Sequence, residues 1–350
     1  MNEFTKQYAS ALSDFSRLSR DVGARRDFVQ GGGGNTSVKL DDRFMAVKAS
    51  GFCLGDVLPD QAYAVMDYAA LRAFYRGNEE RDFEDPEKAG SELAKVSTIA
   101  VEGMAALRPS VEAGFHSLLG KFVIHSHSVY TNFACCAVEM QQILEDVLKD
   151  ADFAWGVVPY IDPGARLSFA IRAEMDRVKQ ATGTLPTVLF MQNHGLIVHA
   201  ETADAALALH EAVNARFAAF FGVAADAFAT MDLEAYIAKR LVARAYEGSF
   251  FLETPLYPDQ MVFFIGTLGF GGGEAKAGEI LLDLASGTIR SGAGEAQTRV
   301  VTETLAAVLF IQEQIEKKGY TLSTMGEKAK QFIANWESEK YRKSLLGAKQ

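Results

Sequence analysis

The chain has 350 residues, 49% of them hydrophobic and 23% charged, which is enough for one large globular core with a smaller unit appended. Its formal charge of -10 and the lack of any dense Lys/Arg block argue against nucleic acid as the main partner, because neutralising phosphates requires a basic face. An anionic substrate must therefore be held by local groups. The three cysteines, Cys53, Cys135 and Cys136, have no C-x-x-C spacing, which argues against a disulfide framework or a thiolate zinc site and for a reducing cytoplasm. The opening residues are polar and acidic with no apolar signal-peptide core, and no apolar run reaches the ~20 residues of a membrane span, so no membrane partner is expected.

In chain order, Tyr8, Leu12, Phe15, Leu18 and Val22 recur at helical spacing and Gly23 ends the pattern, which predicts an amphipathic helix over 4–23. Four glycines, Gly31 to Gly34, then lead into Asn35-Thr36-Ser37. Val38-Lys39-Leu40 and Phe44 to Lys48 read as short strands around an Asp41-Asp42 turn, closed by Ala49-Ser50-Gly51. Residues 62–76 read as helix, 77–90 as a charged connection, and 91–119 as helical periodicity broken at Pro109. Strands are expected at 122–125, 156–160 and 187–191, with helices at 128–148, 164–180 and 201–222. From about 255 the texture changes to a small α/β extension: an apolar run at 261–265, a glycine-rich loop at 269–273, Ile280-Leu281-Leu282 before a Ser286-Gly287 turn, and helices over 296–318 and 325–345.

Only six histidines are present, and His125 and His127 lie two apart at the end of a predicted strand, where alternate residues share a face and both imidazoles can converge on one ion. His194 follows another apolar strand at a similar strand-to-turn junction. Three neutral nitrogens with an open position suit a catalytic divalent ion, zinc first; hydrogen-bonding histidines at strand ends are the plainer alternative. Glu112 and His116 are four apart, on one face of a helix expected to begin after Pro109. A carboxylate there, beside a metal, can ligate the resting ion and move a proton, whereas by itself it is an ordinary helix N-terminal acid. The Gly31–Gly34 run offers backbone amides clear of side chains and could cradle a phosphate, yet it matches neither an ATP loop nor a dinucleotide fingerprint. Ser50-Gly51 and Ser110 are weak signals singly, Ser110 being equally a cap. His199 and His210 read as structural.

Taken together and in order, Gly34-Asn35-Thr36-Ser37, Ala49-Ser50-Gly51, Pro109-Ser110-Val111-Glu112, His125-Ser126-His127 and Asn193-His194-Gly195 resemble the class II aldolase/adducin superfamily over about residues 8–222. The resemblance is nearest to the aldolase part of bifunctional rhamnulose-1-phosphate aldolases, without their dehydrogenase part, and extends to fuculose-phosphate aldolases. It implies a three-layer α/β/α domain with a largely antiparallel sheet over 1–250, leaving 255–350 as the small C-terminal α/β extension. It also implies Asn35, Ser50, Gly51 and Ser110 at a substrate phosphate, His125, His127 and His194 as metal ligands, and Glu112 as the catalytic acid/base. The second serine of the family's pair is Val111 here, and the family's proton-donating tyrosine has no clear counterpart, Tyr160 being a substitute at best. The activity implied is cleavage of a small phosphorylated sugar, a ketose phosphate, to dihydroxyacetone phosphate and a short aldehyde by a cytoplasmic homotetramer. Epimerases, decarboxylases and a dehydratase of sugar phosphates share this kind of site, and adducins carry the fold as non-catalytic scaffolds.

Overall fold

The computed structural model describes residues 2–335. Its elements begin with α1 (Glu3–Gln7), α2 (Ala9–Gly23), β1 (Asn35–Lys39), β2 (Phe44–Lys48), β3 (Tyr63–Asp67), α3 (Tyr68–Gly77), α4 (Pro86–Val96), β4 (Thr98–Ile99) and α5 (Ala113–Leu118). The middle of the chain supplies β5 (Phe122–Ser126), α6 (Val129–Cys135), α7 (Met140–Leu148), β6 (Trp155–Val158), α8 (Ala165–Thr182), β7 (Val188–Met191), β8 (Gly195–Ala200) and α9 (Ala203–Phe221). Then follow α10 (Leu233–Ala243), α11 (Gly248–Glu253), α12 (Pro258–Phe264), β9 (Leu268–Phe270), β10 (Ile280–Leu282), β11 (Ile289–Ser291), α13 (Glu295–Lys317) and α14 (Glu327–Asn335).

Strands β1 to β8 form one sheet in the order β4-β3-β2-β1-β5-β8-β7-β6, antiparallel throughout except for the β6–β7 pair. The two-residue period of a strand sorts its side chains between two helical layers. Val38, Ala46, Ile124 and Val198 pack toward α2 and α9. Met45, Val47, Val123, Leu189 and Ile197 pack toward α3, α5 and α8. The architecture is therefore three layers, α/β/α, with a largely antiparallel centre. At the β1–β2 turn Asp41 Oδ1 accepts from the backbone N–H groups of Arg43 at 2.8 Å and Phe44 at 2.7 Å, the local bonding that makes Asp a turn residue.

Two expected elements differ. Residues 62–76 are a strand and then a helix: Tyr63 to Met66 are buried on both sides of the sheet, and such a short apolar run carries no period that separates strand from helix. The apolar run at 261–265, which carries no assignment to strand or helix from its sequence, lies in helix α12 up to Phe264, and Pro258 opens that helix from its first position, where a missing N–H costs nothing. The stretch 91–119 holds α4, the short β4 and α5, with irregular chain between β4 and Ser110. Helix α14 covers the first part of the helix expected over 325–345; Trp336, Tyr341 and Leu345 lie outside the described residues.

Beyond residue 255 the chain forms a second, three-stranded sheet in the order β11-β10-β9, but α12 and α13 pack into the same apolar cluster as α6, α7 and α9. Phe310 of α13 lies 5.5 Å from Phe133 and 5.6 Å from Phe228, and Leu305, Val308, Leu309 and Ile311 are fully buried. Leu305→Ala is expected to lower unfolding free energy by about 2–5 kcal/mol, because it removes buried methyl groups and leaves a cavity between packed helices. Urea denaturation with an unchanged slope checks this; a loss under ~1 kcal/mol would mean that α13 packs loosely.

Candidate metal centre

Strand β5 places the site. His125 points to the α3/α5/α8 side, its ring 5.8 Å from that of Phe115, while Ser126 faces α9 and sits 2.7 Å from His210 Nε2. His127 follows the strand, and His194 lies in the β7–β8 turn, where Asn193 takes a φ of 49°, a left-handed conformation that Asn tolerates. Asn193 is held there by donating to the carbonyls of Leu256 at 2.9 Å and Ser323 at 3.0 Å. The rings of His125, His127 and His194 converge: one nitrogen from each lies within 4.8 Å of the others, and the Nε2 atoms of His125 and His127 are 3.1 Å apart. Glu112 closes the group, with Oε2 3.6 Å from His125 Nε2 and Oε1 3.4 Å from His194 Nε2.

The donor set fits a divalent cation. His125 Nδ1 is 3.0 Å from the Leu196 carbonyl oxygen, which only accepts, so the ring donates from Nδ1 and turns a bare Nε2 to the cluster. Burial pushes the His125 pKa down to about 4, which keeps the ring neutral at pH 7. His127 Nδ1 meets Asp259 Oδ2 at 2.6 Å, which favours the same tautomer. Two lone pairs so close repel unless a cation lies between them, and tetrahedral nitrogen ligands ~2.0–2.1 Å from an ion sit about 3.3 Å apart. Glu112 Oε1 is buried and accepts no hydrogen bond, an oxygen such an ion would satisfy. Three imidazoles and a carboxylate suit zinc better than calcium or magnesium, which prefer oxygen ligands.

Glu112 stands one residue before α5, at its N-cap position, so it does not share a helical face with His116 as the four-residue spacing predicts. The two are joined through Asn35 instead. Asn35 Nδ2 donates to Glu112 Oε2 at 2.6 Å, while Asn35 Oδ1 contacts His116 Nε2 and His116 Nδ1 lies 2.8 Å from Ser37 Oγ. The β1–β5 register sets Asn35 opposite His125, which is why a residue from the glycine loop reaches the histidines. Gly34 permits this approach: it has a φ of 66°, and a Cβ there would come within 2.6 Å of the His125 carbonyl oxygen.

Of the residues expected at a phosphate, Asn35 and Ser110 are brought together, with Asn35 Nδ2 3.3 Å from Ser110 Oγ. Ser50 joins the same chain segment, its N–H donating to the Arg108 carbonyl at 2.9 Å beside an Ala49–Pro109 bridge, and Gly51 follows with a φ of 85°. A cleft of about 1420 Å³ opens there, lined by Ser110, Val111, Arg108, Lys95 and Lys88 among others. Gly31 to Gly34 are largely covered by the chain's own later residues, Gly31 by Val300 and Gly33 by Asp259. His199 Nε2 meets the Pro186 carbonyl at 2.9 Å and His210 meets Ser126, so both serve packing. The Tyr160 hydroxyl donates to Asp162 Oδ1 at 3.0 Å. Sequence reasoning missed Asp259, Tyr257 and Gln30. An acid inside the apolar Leu256–Phe264 stretch was a signal, but its partner is 132 positions away.

A three-layer α/β/α protein with histidines from β5 and the β7–β8 turn facing a buried glutamate defines a recognisable class. Residues 13–220 match the family model described as class II aldolase and adducin N-terminal domain, more than half of the chain, and the chain belongs to that family. It is 26% identical over 212 residues to an uncharacterised oxidoreductase, YuxG, of Bacillus subtilis (strain 168), matching 58% of this chain and only 28% of that protein. Among solved structures it is similar to the N-terminal class II aldolase domain of a conserved protein from Thermoplasma acidophilum, at 25% identity and TM-score 0.47, covering 59% of this chain and 92% of that one. It is also similar to a sugar-phosphate aldolase from Thermotoga maritima, at 12% identity and TM-score 0.42, covering 60% and 92% respectively. Among the described residues no helix is long and apolar enough to cross a membrane.

Proposed function

We propose that the chain is a zinc-dependent aldolase that cleaves a small ketose phosphate into dihydroxyacetone phosphate and a short aldehyde. The observation that carries this reading is the buried Glu112 carboxylate set against three convergent histidines, Oε2 tied to Asn35 and facing His125, and Oε1 facing His194. His125, His127 and His194 would hold the ion, which supplies Lewis acidity to a carbonyl and offsets the charge of an enediolate. Glu112 does the proton work at that point. In cleavage the carbon–carbon bond breaks as the hydroxyl of the carbon that becomes the aldehyde gives its proton to solvent, and the acid form of Glu112 delivers a proton to the enediolate carbon; in synthesis the Glu112 carboxylate removes that proton and the new alkoxide takes one from solvent. Asn35, steadied by His116, keeps Oε2 occupied so that Oε1 is the atom facing the reacting carbon. Ser50, Gly51 and Ser110, with Asn35 beside Ser110, bind the phosphate in this reading; Ser110 lines the cleft, whose walls carry Lys88, Lys95 and Arg108 together with Asp85, Glu87 and Asp162. A cytoplasmic homotetramer accompanies this reading.

Metal content by mass spectrometry on protein purified without chelator, paired with an assay for dihydroxyacetone phosphate release from a panel of ketose 1-phosphates, tests the proposal. Bound zinc with release supports it. Bound zinc with carbon dioxide evolved indicates a decarboxylase, and an unfragmented isomer an epimerase. Protein that takes up no metal when zinc is supplied is a scaffold. Ser50→Ala is expected to raise KM for the phosphorylated substrate about tenfold with kcat little changed, the loss of roughly one charge-assisted hydrogen bond; an unchanged KM would remove Ser50 from the phosphate site.

A further inference from the structure

We infer that Asp259, from the segment beyond the matched family region, is a positioning residue of the metal centre: it fixes the tautomer and aim of His127. This rests on the reading of His125, His127 and His194 as metal ligands. Asp259 Oδ2 lies 2.6 Å from His127 Nδ1, on the side of the ring away from the cluster, while Nε2 faces His125 Nε2 at 3.1 Å. A carboxylate can only accept in that bond, so the proton sits on Nδ1 and the lone pair on Nε2. His125 receives the same orientation from a neutral backbone carbonyl, that of Leu196. His127 therefore has the stronger outer partner, and a charged acceptor makes an imidazole a more basic ligand.

Three further observations show that the contact is built rather than incidental. Asp259 is fully buried, in a place where a carboxylate is tolerated only if it is paired. Gly33 leaves room for it, since a Cβ on Gly33 would lie 2.2 Å from Asp259 Oδ2 and 3.0 Å from His127 Nδ1. The neighbouring Tyr257 is anchored to the same loop, its hydroxyl donating to Gln30 Oε1 at 3.1 Å, with its ring 6.0 Å from that of His127. The centre is thus assembled from two distant parts of the chain, and α12 is part of it.

The test uses the full chain, with zinc affinity measured by chelator competition for wild type, Asp259→Asn, Asp259→Ala and Gly33→Ala, and with melting of the metal-free proteins as a check on folding. Folded variants are expected to bind zinc about 10–100-fold more weakly and, when loaded with cobalt, to show a shifted d–d absorption band. Nitrogen-15 NMR of metal-free wild type is expected to show His127 protonated at Nδ1, an observation that needs no variant. A His127 protonated at Nε2, or folded Asp259 variants with zinc affinity within about twofold of wild type, would overturn the assignment of Asp259 alone. A wild-type protein that binds neither zinc nor cobalt would overturn the metal centre itself, and this inference with it.

Discussion

Glu112→Gln is expected to keep much of the zinc, which the three histidines still hold, and to lower turnover about 10²–10⁴-fold, the usual contribution of a positioned acid or base. The substitution is isosteric, and its direction follows from the hydrogen bond that Asn35 Nδ2 makes to Oε2 at 2.6 Å. The glutamine oxygen must take the Oε2 place to keep that bond. Its amide NH2 then occupies the Oε1 place, beside His194, and presents hydrogens where the carboxylate presented a proton-accepting oxygen. Substrate binding is untouched by this exchange, so kcat should fall and KM should not. Activity within a few fold of wild type would remove Glu112 from proton transfer.

His127→Ala should have a still broader effect. One of three nitrogen ligands disappears, and Asp259 loses the imidazole N–H that it accepts. Zinc recovered after gel filtration is expected to drop to background, and the rise in Tm that zinc gives the wild-type protein should vanish, because a ligand that no longer binds the native state no longer stabilises it. His199→Ala serves as the control, since His199 is a buried histidine bonded to the Pro186 carbonyl and outside the cluster. Stoichiometric zinc in His127→Ala, or loss of zinc in His199→Ala, would sink the ligand assignment.

Much of the site is legible in the chain because its parts are local. His125 and His127 are two residues apart at a strand end, so their convergence follows from the pleat. Alternation along the strands likewise yields the layers. The relation of Glu112 to His116 is not legible in this way, since helical spacing connects them directly while the structure connects them through Asn35, which only the β1–β5 register brings near. Tyr63 to Met66 mislead, and the 261–265 run yields no assignment, for a common reason: a short, largely buried apolar stretch has no polar face from which to read a period. Asp259 is the extreme case, because a lone acid in an apolar segment announces that it has a partner without saying where.

The burial of α13 among α6, α10 and α12 has a consequence for how the protein is made. As the chain leaves the ribosome, the apolar surfaces of α6 and α9 are complete before their cover exists. At ~5–20 residues per second, the interval between the end of α9 and the end of α13 is on the order of ten seconds. Until Phe310 is made the nascent domain exposes the patch that will meet it, and for the first part of the interval it holds three histidines that still lack the carboxylate of residue 259. Nascent chains stalled within this interval should be clients for chaperones and poor binders of metal, and competence for both folding and metal uptake should arrive together, late in synthesis.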